Sequence, residues 1–274
     1  MQSKTAKRLL AGPYIIWMIG FTVIPLLLIV FYGLTDKSGA FTAANVLSIR
    51  TPEHAKALLL SLLLSLASTA FCLVLSFPLA LILRRRGIGK GSFMVFIFIL
   101  PMWMNFLLRT LAWQTLLEKT GAINNLLSFF HLPPLNIINT PYAIVLGMVY
   151  NFLPFMILPI YNALVKIDPN VVNAAKDLGA NPIQTFFKIT LPLSIPGIIS
   201  GITMVFIPAL TTFVISKLLG GSKILLIGNV IEEEFTQAGN WHLGSGLSIV
   251  LMIFILINMA ASAIFDKDGE GGLL

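Results

Sequence analysis

Charged side chains are scarce in this sequence: Asp, Glu, Lys and Arg together make up 11% of its 274 residues, whereas 57% are hydrophobic. A soluble domain of this length needs a far more polar surface. The composition therefore points to a polytopic membrane protein, in keeping with a mean hydropathy of +0.92. Cysteine is nearly absent. The single Cys72 lies inside an apolar run, which excludes an intrachain disulfide framework and a thiolate metal site and leaves it a small buried hydrophobe.

The constellations of an embedded enzyme are also missing. His54, His131 and His242 fall in loops and form no H-E-x-x-H pattern, no G-x-S-x-G elbow occurs, and no two aspartates face each other from within apolar segments. There is no G-x-x-x-x-G-K-[ST] loop either. Gly87 to Ser92 (GIGKGS) has Gly and Lys without that spacing and reads as a basic turn, so the chain is not expected to hydrolyse ATP or bind a cofactor itself. The formal net charge of +7 comes from Lys and Arg in short loops rather than on a solvated face interleaved with aromatics, so nucleic acid is not an expected partner.

What is present is a series of long apolar segments. Six are expected to cross a lipid bilayer, at about 9–34, 57–83, 92–117, 141–165, 193–216 and 246–265, each near the roughly 20 residues a span requires. The N-terminal MQSKTAKRLL is basic, and the apolar run after it exceeds the 7–15 residues of a signal-peptide core, so it reads as a retained first span. Placing both termini in the cytoplasm puts 11 of the 18 Lys and Arg inside, with Arg84, Arg85 and Arg86 as the firmest anchor. That orientation also puts the stretch 168–192 in the cytoplasm.

This stretch is the one long polar interruption, and its punctuation predicts two short amphipathic helices. Asp168 caps the first with Pro169 at its first position, and Gly179 ends it in a left-handed conformation. Asn181, Pro182 and Gln184 form a capping box for the second, which Leu191-Pro192 is expected to stop.

The same residues carry a family resemblance. NAAKDLGANPIQTFFKITLP resembles the cytoplasmic EAA loop of permease subunits in binding-protein-dependent ABC importers: two alanines, three residues to a glycine, then nine to Ile-x-Leu-Pro. The resemblance implies the six-helix type I importer permease fold across 1–274 as one domain. It also implies a coupling loop at about 168–192, in which Asn173, Ala174, Ala175, Asp177, Gly179, Ala180, Leu191 and Pro192 engage a separate ATPase. Asn173 stands where the family's motif has glutamate. The segments LPMWMNFLLRTLAWQTLL, TPYAIVLGMVYNFLPFMILPIYNAL and LLGGSKILLIGNVIEEEF are similar to the first permease subunit of spermidine/putrescine importers. This implies a bacterial inner-membrane heterodimer with a second permease, a dimer of ATP-binding subunits that hold the ATP and magnesium, and an extracellular polyamine-binding protein. An import permease for another small solute, or an ATP-independent carrier, is the alternative.

A polyamine in a membrane pathway needs acids, carbonyls or aromatic faces to replace its water. Trp103 and Asn105, Tyr150 and Asn151, and Phe213 are the candidates within the apolar segments, and no carboxylate lies deep in any of them. Pro154, Pro159 and Pro208 lie in the fourth and fifth. Arg109 is near enough to the outer end of the third to snorkel or to pair with Glu118. Glu232, Glu233 and Glu234 form an outer acidic cluster, either a solvated turn that meets the binding protein or an attractor for a cation. Gly197 and Gly201, spaced G-x-x-x-G, permit close helix contact, with a sister permease as a candidate partner.

Overall fold

A computed structural model describes residues 12–85, 100–221 and 223–270 of the chain. Among them every long element is helical, and the only β feature is an isolated antiparallel bridge between Thr35 and Phe41. The chain divides into two compact units, Met1–Lys56 with Val230–Phe254, and Ala57–Asn229 with Ile255–Leu274.

The first unit is built on α1 (Gly12–Gly33), whose 18-residue apolar window is wholly unburied within the chain, as suits a helix facing lipid. After it, the Thr35–Phe41 hairpin closes on Asp36. Its Oδ1 accepts from Ser38 Oγ (2.6 Å), Ser38 N (2.8 Å) and Ala40 N (3.0 Å). These bonds, the Ser38 hydroxyl first, hold the carboxyl below its usual range. A short helix α2 (Ala44–Leu47) then brings Asn45 Nδ2 within 2.9 Å of Thr35 O. His242 Nδ1 lies 2.7 Å from the same carbonyl, which can only accept, so this nitrogen carries a proton. Gly33 and Gly246 allow the contact between these pieces. A Cβ at Gly33 would lie 2.5 Å from Ile249 Cδ1, and one at Gly246 2.5 Å from the backbone carbon of Asn45.

The second unit holds most of the core. α3 (Pro52–Arg85) enters it at Ala57. A 3₁₀ turn (Leu100–Trp103) and α4 (Phe106–Leu117) follow, then α5 (Ala122–Phe129) and the central α6 (Pro141–Lys166). α6 buries Ile144, Met148, Met156, Ile160 and Leu164 almost completely. The face of α3 against it is lined with small residues: Ser68 Oγ lies 3.1 Å from Met148 Sδ, and Cys72 is fully buried, as its sequence context predicts. α7 (Pro169–Asp177) leads to α8 (Pro182–Thr211), then α9 (Val214–Leu219), α10 (Ile227–Thr236) and α11 (Trp241–Glu270), the last two shared between the units.

Five of these helices are long and apolar enough to cross a membrane: α1, α3, α6, α8 and α11. Of the third expected span, 92–99 lies outside the described residues, as do the basic turn GIGKGS and residues 9–11 of the first. Its described part is not one helix. The chain breaks at Met104-Asn105, where Asn105 Oδ1 accepts from the backbone N–H of Leu107 (2.8 Å) and Leu108 (3.3 Å) and so caps α4. The fifth span is also displaced from 193–216, because α8 starts at Pro182 and ends at Thr211. α11 begins at Trp241 rather than 246.

Leu191-Pro192 does not stop a helix. Phe186–Thr190 form a π turn in which Leu191 N–H donates to Phe186 O, five residues back, and the α-helix resumes through Pro192. A proline cannot donate to the carbonyl four residues earlier, and its ring clashes there. Widening the preceding turn by one residue accommodates both. α1 repeats the device: a π turn at Ile19–Val23 precedes Pro25, and Ile24 N–H donates to Ile19 O.

The Gly197–Gly201 pair is likewise used within the chain. A Cβ at Gly197 would stand 2.6 Å from Pro159 O and 2.5 Å from Ala163 Cβ, and one at Gly201 2.6 Å from Met156 Sδ. The missing side chains let α8 lie directly on α6.

Candidate functional site

The corner between α7 and α8 is a chain of local hydrogen bonds. Asp168 Oδ1 accepts from Asn170 N (2.8 Å), and Pro169 needs no partner at the first helical position. At the other end Gly179 takes φ +81°, so that its N–H reaches Lys176 O (2.9 Å) and the N–H of Ala180 reaches Ala175 O (3.0 Å). These two bonds are the Schellman pattern, which satisfies the last carbonyls of α7. Nothing lies within 4 Å of a Cβ at Gly179, so glycine is favoured there by the backbone angle alone. Two residues on, Asn181 Oδ1 accepts from Gln184 N (2.8 Å) and Gln184 Oε1 from Asn181 N (3.0 Å), a complete capping box.

Within this corner Ala175 is buried, Asn173, Ala174 and Asp177 are exposed, and Ala180 is half-buried. Leu191 packs against the core and Pro192 is exposed, both inside α8. Asn173 lines a cleft of about 460 Å³ between α3 and the corner, together with Arg84, Lys176, Thr185 and Phe186. Arg84 Nη2 donates to Ile167 O (3.1 Å), tying the end of α3 to the start of the corner. No carboxylate lines this cleft. Sequence spacing does not reveal it, because Arg84 lies about ninety residues from its partners.

The candidate pathway residues are scattered. Trp103 is 76% exposed, Phe213 40% and Tyr150 37%, whereas Asn151 is 1% exposed. Asn151 Nδ2 donates to Gly147 O within α6 (2.9 Å), and its Oδ1 is buried with no hydrogen-bond partner. Asn105 is occupied as the cap of α4. Tyr150 packs edge-on against Trp113 at 5.3 Å, and both line an apolar cavity of about 620 Å³ between α3, α4 and α6, with Leu64, Phe71 and Tyr142. Its lining includes no charged residue, so a cation there would meet aromatic faces alone. Among the described residues, no ring contact or hydrogen bond joins Trp103 or Phe213 to the other candidates.

Arg109 departs from its expected place. It is 7% exposed, its Nε and Nη1 have no hydrogen-bond partner, and it neither snorkels nor pairs with Glu118. Glu232, Glu233 and Glu234 lie on α10, half-buried, and not in a solvated turn. The residue that sequence reasoning missed is Asn229, fully enclosed at the start of α10.

Five helices long and apolar enough to cross a membrane, with one polar corner capped at both ends beside a basic cleft, give the class: a multi-pass helical membrane protein. The chain belongs to the family of binding-protein-dependent transport system inner membrane components, whose profile matches residues 57–267. It is 35% identical over 266 residues to the spermidine/putrescine transport system permease protein PotB of Haemophilus influenzae, covering 93% of each chain. It is 36% identical to the PotB of Escherichia coli, covering 93% of this chain and 97% of that one. Among solved structures, a bacterial alginate ABC transporter in complex with its alginate-bound periplasmic protein superposes with a TM-score of 0.78 at 19% identity, over 94% of this chain and 92% of that one. At this identity the match speaks for the fold alone, that of an ABC importer permease.

Proposed function

We propose that this chain is one permease subunit of an ATP-driven polyamine importer, with spermidine or putrescine as cargo. The observation that carries the reading is full-length similarity to permeases of spermidine/putrescine transport systems. The capped corner supports a mechanical role: two helices with their ends fixed by side-chain and Schellman bonds present a preorganised face to a separate ATPase dimer, which holds ATP and magnesium. In this reading 1–274 act as one permease domain beside a second permease subunit, with both termini in the cytoplasm. Closure of the ATPase dimer pushes the corner, α8 moves with it, and the pathway opens by turns to an extracellular binding protein and to the cytoplasm.

The acid-free lining near Tyr150 supports a pathway that passes a polycation over aromatic faces and carbonyls without trapping it, the acids being supplied by the sister subunit. That same lining also favours the alternative, a different small solute. The test is spermidine uptake by proteoliposomes containing this chain with its permease partner, ATPase and binding protein. ATP-dependent uptake that disappears when this chain is omitted supports the reading; uptake of another solute but not of polyamines overturns the substrate, and uptake by the chain alone overturns the ATP-driven mechanism.

A further inference from the structure

Where α8 ends, the chain makes a two-residue break at Thr212-Phe213 before α9 begins. A break inside an apolar bundle frees backbone groups that lipid cannot satisfy, so it persists only where protein does so. Asn229 is placed to meet that need. Its Nδ2 donates to Phe213 O (3.0 Å), and its Oδ1 accepts from Leu226 N (3.1 Å). Ser216 Oγ lies 2.5 Å from Asn229 Oδ1 and 3.0 Å from Phe213 O, so its single proton serves one or the other acceptor. The amide orientation is set by its neighbours: reversed, it would place an N–H against the N–H of Leu226 and an oxygen against a carbonyl.

Two further contacts fix this knot to the bundle. The N–H of Ile227 donates to Ser61 Oγ on α3 (2.8 Å), and Ser61 itself is fully buried. The neighbouring Gly228 lies so close to the end of α8 that a Cβ there would stand 2.8 Å from both Thr211 O and Thr212 O. Every member of the knot, Asn229, Ser216 and Ser61, is at least nine-tenths buried, while the side chain of Phe213 remains 40% exposed.

We propose that Asn229 is a positioning residue for transport: it holds the break open and thereby presents Phe213 to the translocation pathway at the far end of the helix that starts in the capping box. This rests on the permease reading above. The geometry makes a specific demand on residue type. Aspartate at 229 keeps the acceptor for Leu226 but has no N–H for Phe213 O, leaving two acceptors face to face; alanine removes both roles.

The test uses the intact purified transporter with Cys72→Ser and Phe213→Cys, and reads the rate at which a charged methanethiosulfonate reagent labels position 213. Adding Asn229→Asp is expected to change that rate by about tenfold, and Ser216→Ala by a smaller factor, because Asn229 keeps its bond to Phe213 O. In the parent that retains Phe213, Asn229→Asp is expected to raise the KM for spermidine more than it lowers the maximal rate. Unchanged labelling in both variants, or a thiol at position 213 that the reagent never reaches, overturns the proposal. Should Asn229→Asp fail to assemble, the Ser216→Ala comparison decides. Labelling does not depend on which solute is carried, so a wild-type transporter that fails to import spermidine counts against the polyamine reading and not against this one.

Discussion

The two ends of α8 show two ways of terminating a helix. At its start, the corner from Asp168 to Gln184 is held by bonds that reach two to five residues along the chain. At its finish, the break at Thr212-Phe213 is held by Asn229, sixteen residues on from Phe213, with Ser61 gripping Ile227 from 166 residues away. The first end is polar, mostly exposed and shaped by local bonds, with Arg84 of α3 as a long-range tie at its start. The second is buried and depends on the rest of the bundle. A corner built from local bonds keeps its shape while it is pushed against a partner, and a break built from long-range bonds changes only when the bundle rearranges. A lever needs both.

The largest expected effect comes from separating α8 from α6 between these ends. Gly197→Leu forces a side chain against the Pro159 carbonyl and Ala163, neither of which can swing away. A cost of about 3 kcal/mol or more should leave little folded transporter in membranes, seen as loss of detergent-extractable complex. Gly179→Val comes next and separates shape from folding. It meets no neighbour but forces a β-branched residue to φ +81°. Membrane content should stay normal while ATP-driven uptake falls at least about tenfold, and Gly179→Asn, which tolerates that angle, should keep most of it. Unchanged uptake in Gly179→Val would mean that the corner's shape does not matter.

Smaller effects grade the local bonds. Asn181→Ala removes one half of the capping box, about 1 kcal/mol, and uptake should drop no more than about fivefold. Asn173→Glu places a carboxylate in the cleft with Arg84 and Lys176. An exposed ion pair there contributes at most about 1 kcal/mol, so ATPase co-purification should change only slightly, and less at high salt.

This contrast also explains what can be read from the sequence. The caps at Asp168, Gly179 and Asn181 are legible because each is decided within one turn by residues whose chemistry is specific to that position. Membrane-crossing segments are legible because a bilayer demands long apolar runs. Pro192 misleads, since proline reads as a stop in water. Inside a bundle the backbone must stay hydrogen-bonded, and a π turn costs less than an open end. The Gly197–Gly201 pair announces a close contact but not its partner, which is α6 of the same chain. Asn229 gives no local signal at all, because none of its partners forms a pattern with it. For Arg109, distance from the end of an apolar run is a poor guide, since that run is broken and α4 begins only at Phe106.

In the proposed mechanism α8 carries motion from the corner to the break as one rod, without a hinge at Pro192 or Pro196. Spin labels at Phe187 and Met204, both exposed, would report this in the assembled Cys72→Ser transporter. Seventeen residues of helix set their separation at about 26 Å. The same distance, within about 2 Å, is expected in the nucleotide-free and ATP-bound states. A distance that shortens clearly on ATP binding would place a hinge between the two labels, in the stretch that holds Pro192 and Pro196, and contradict it.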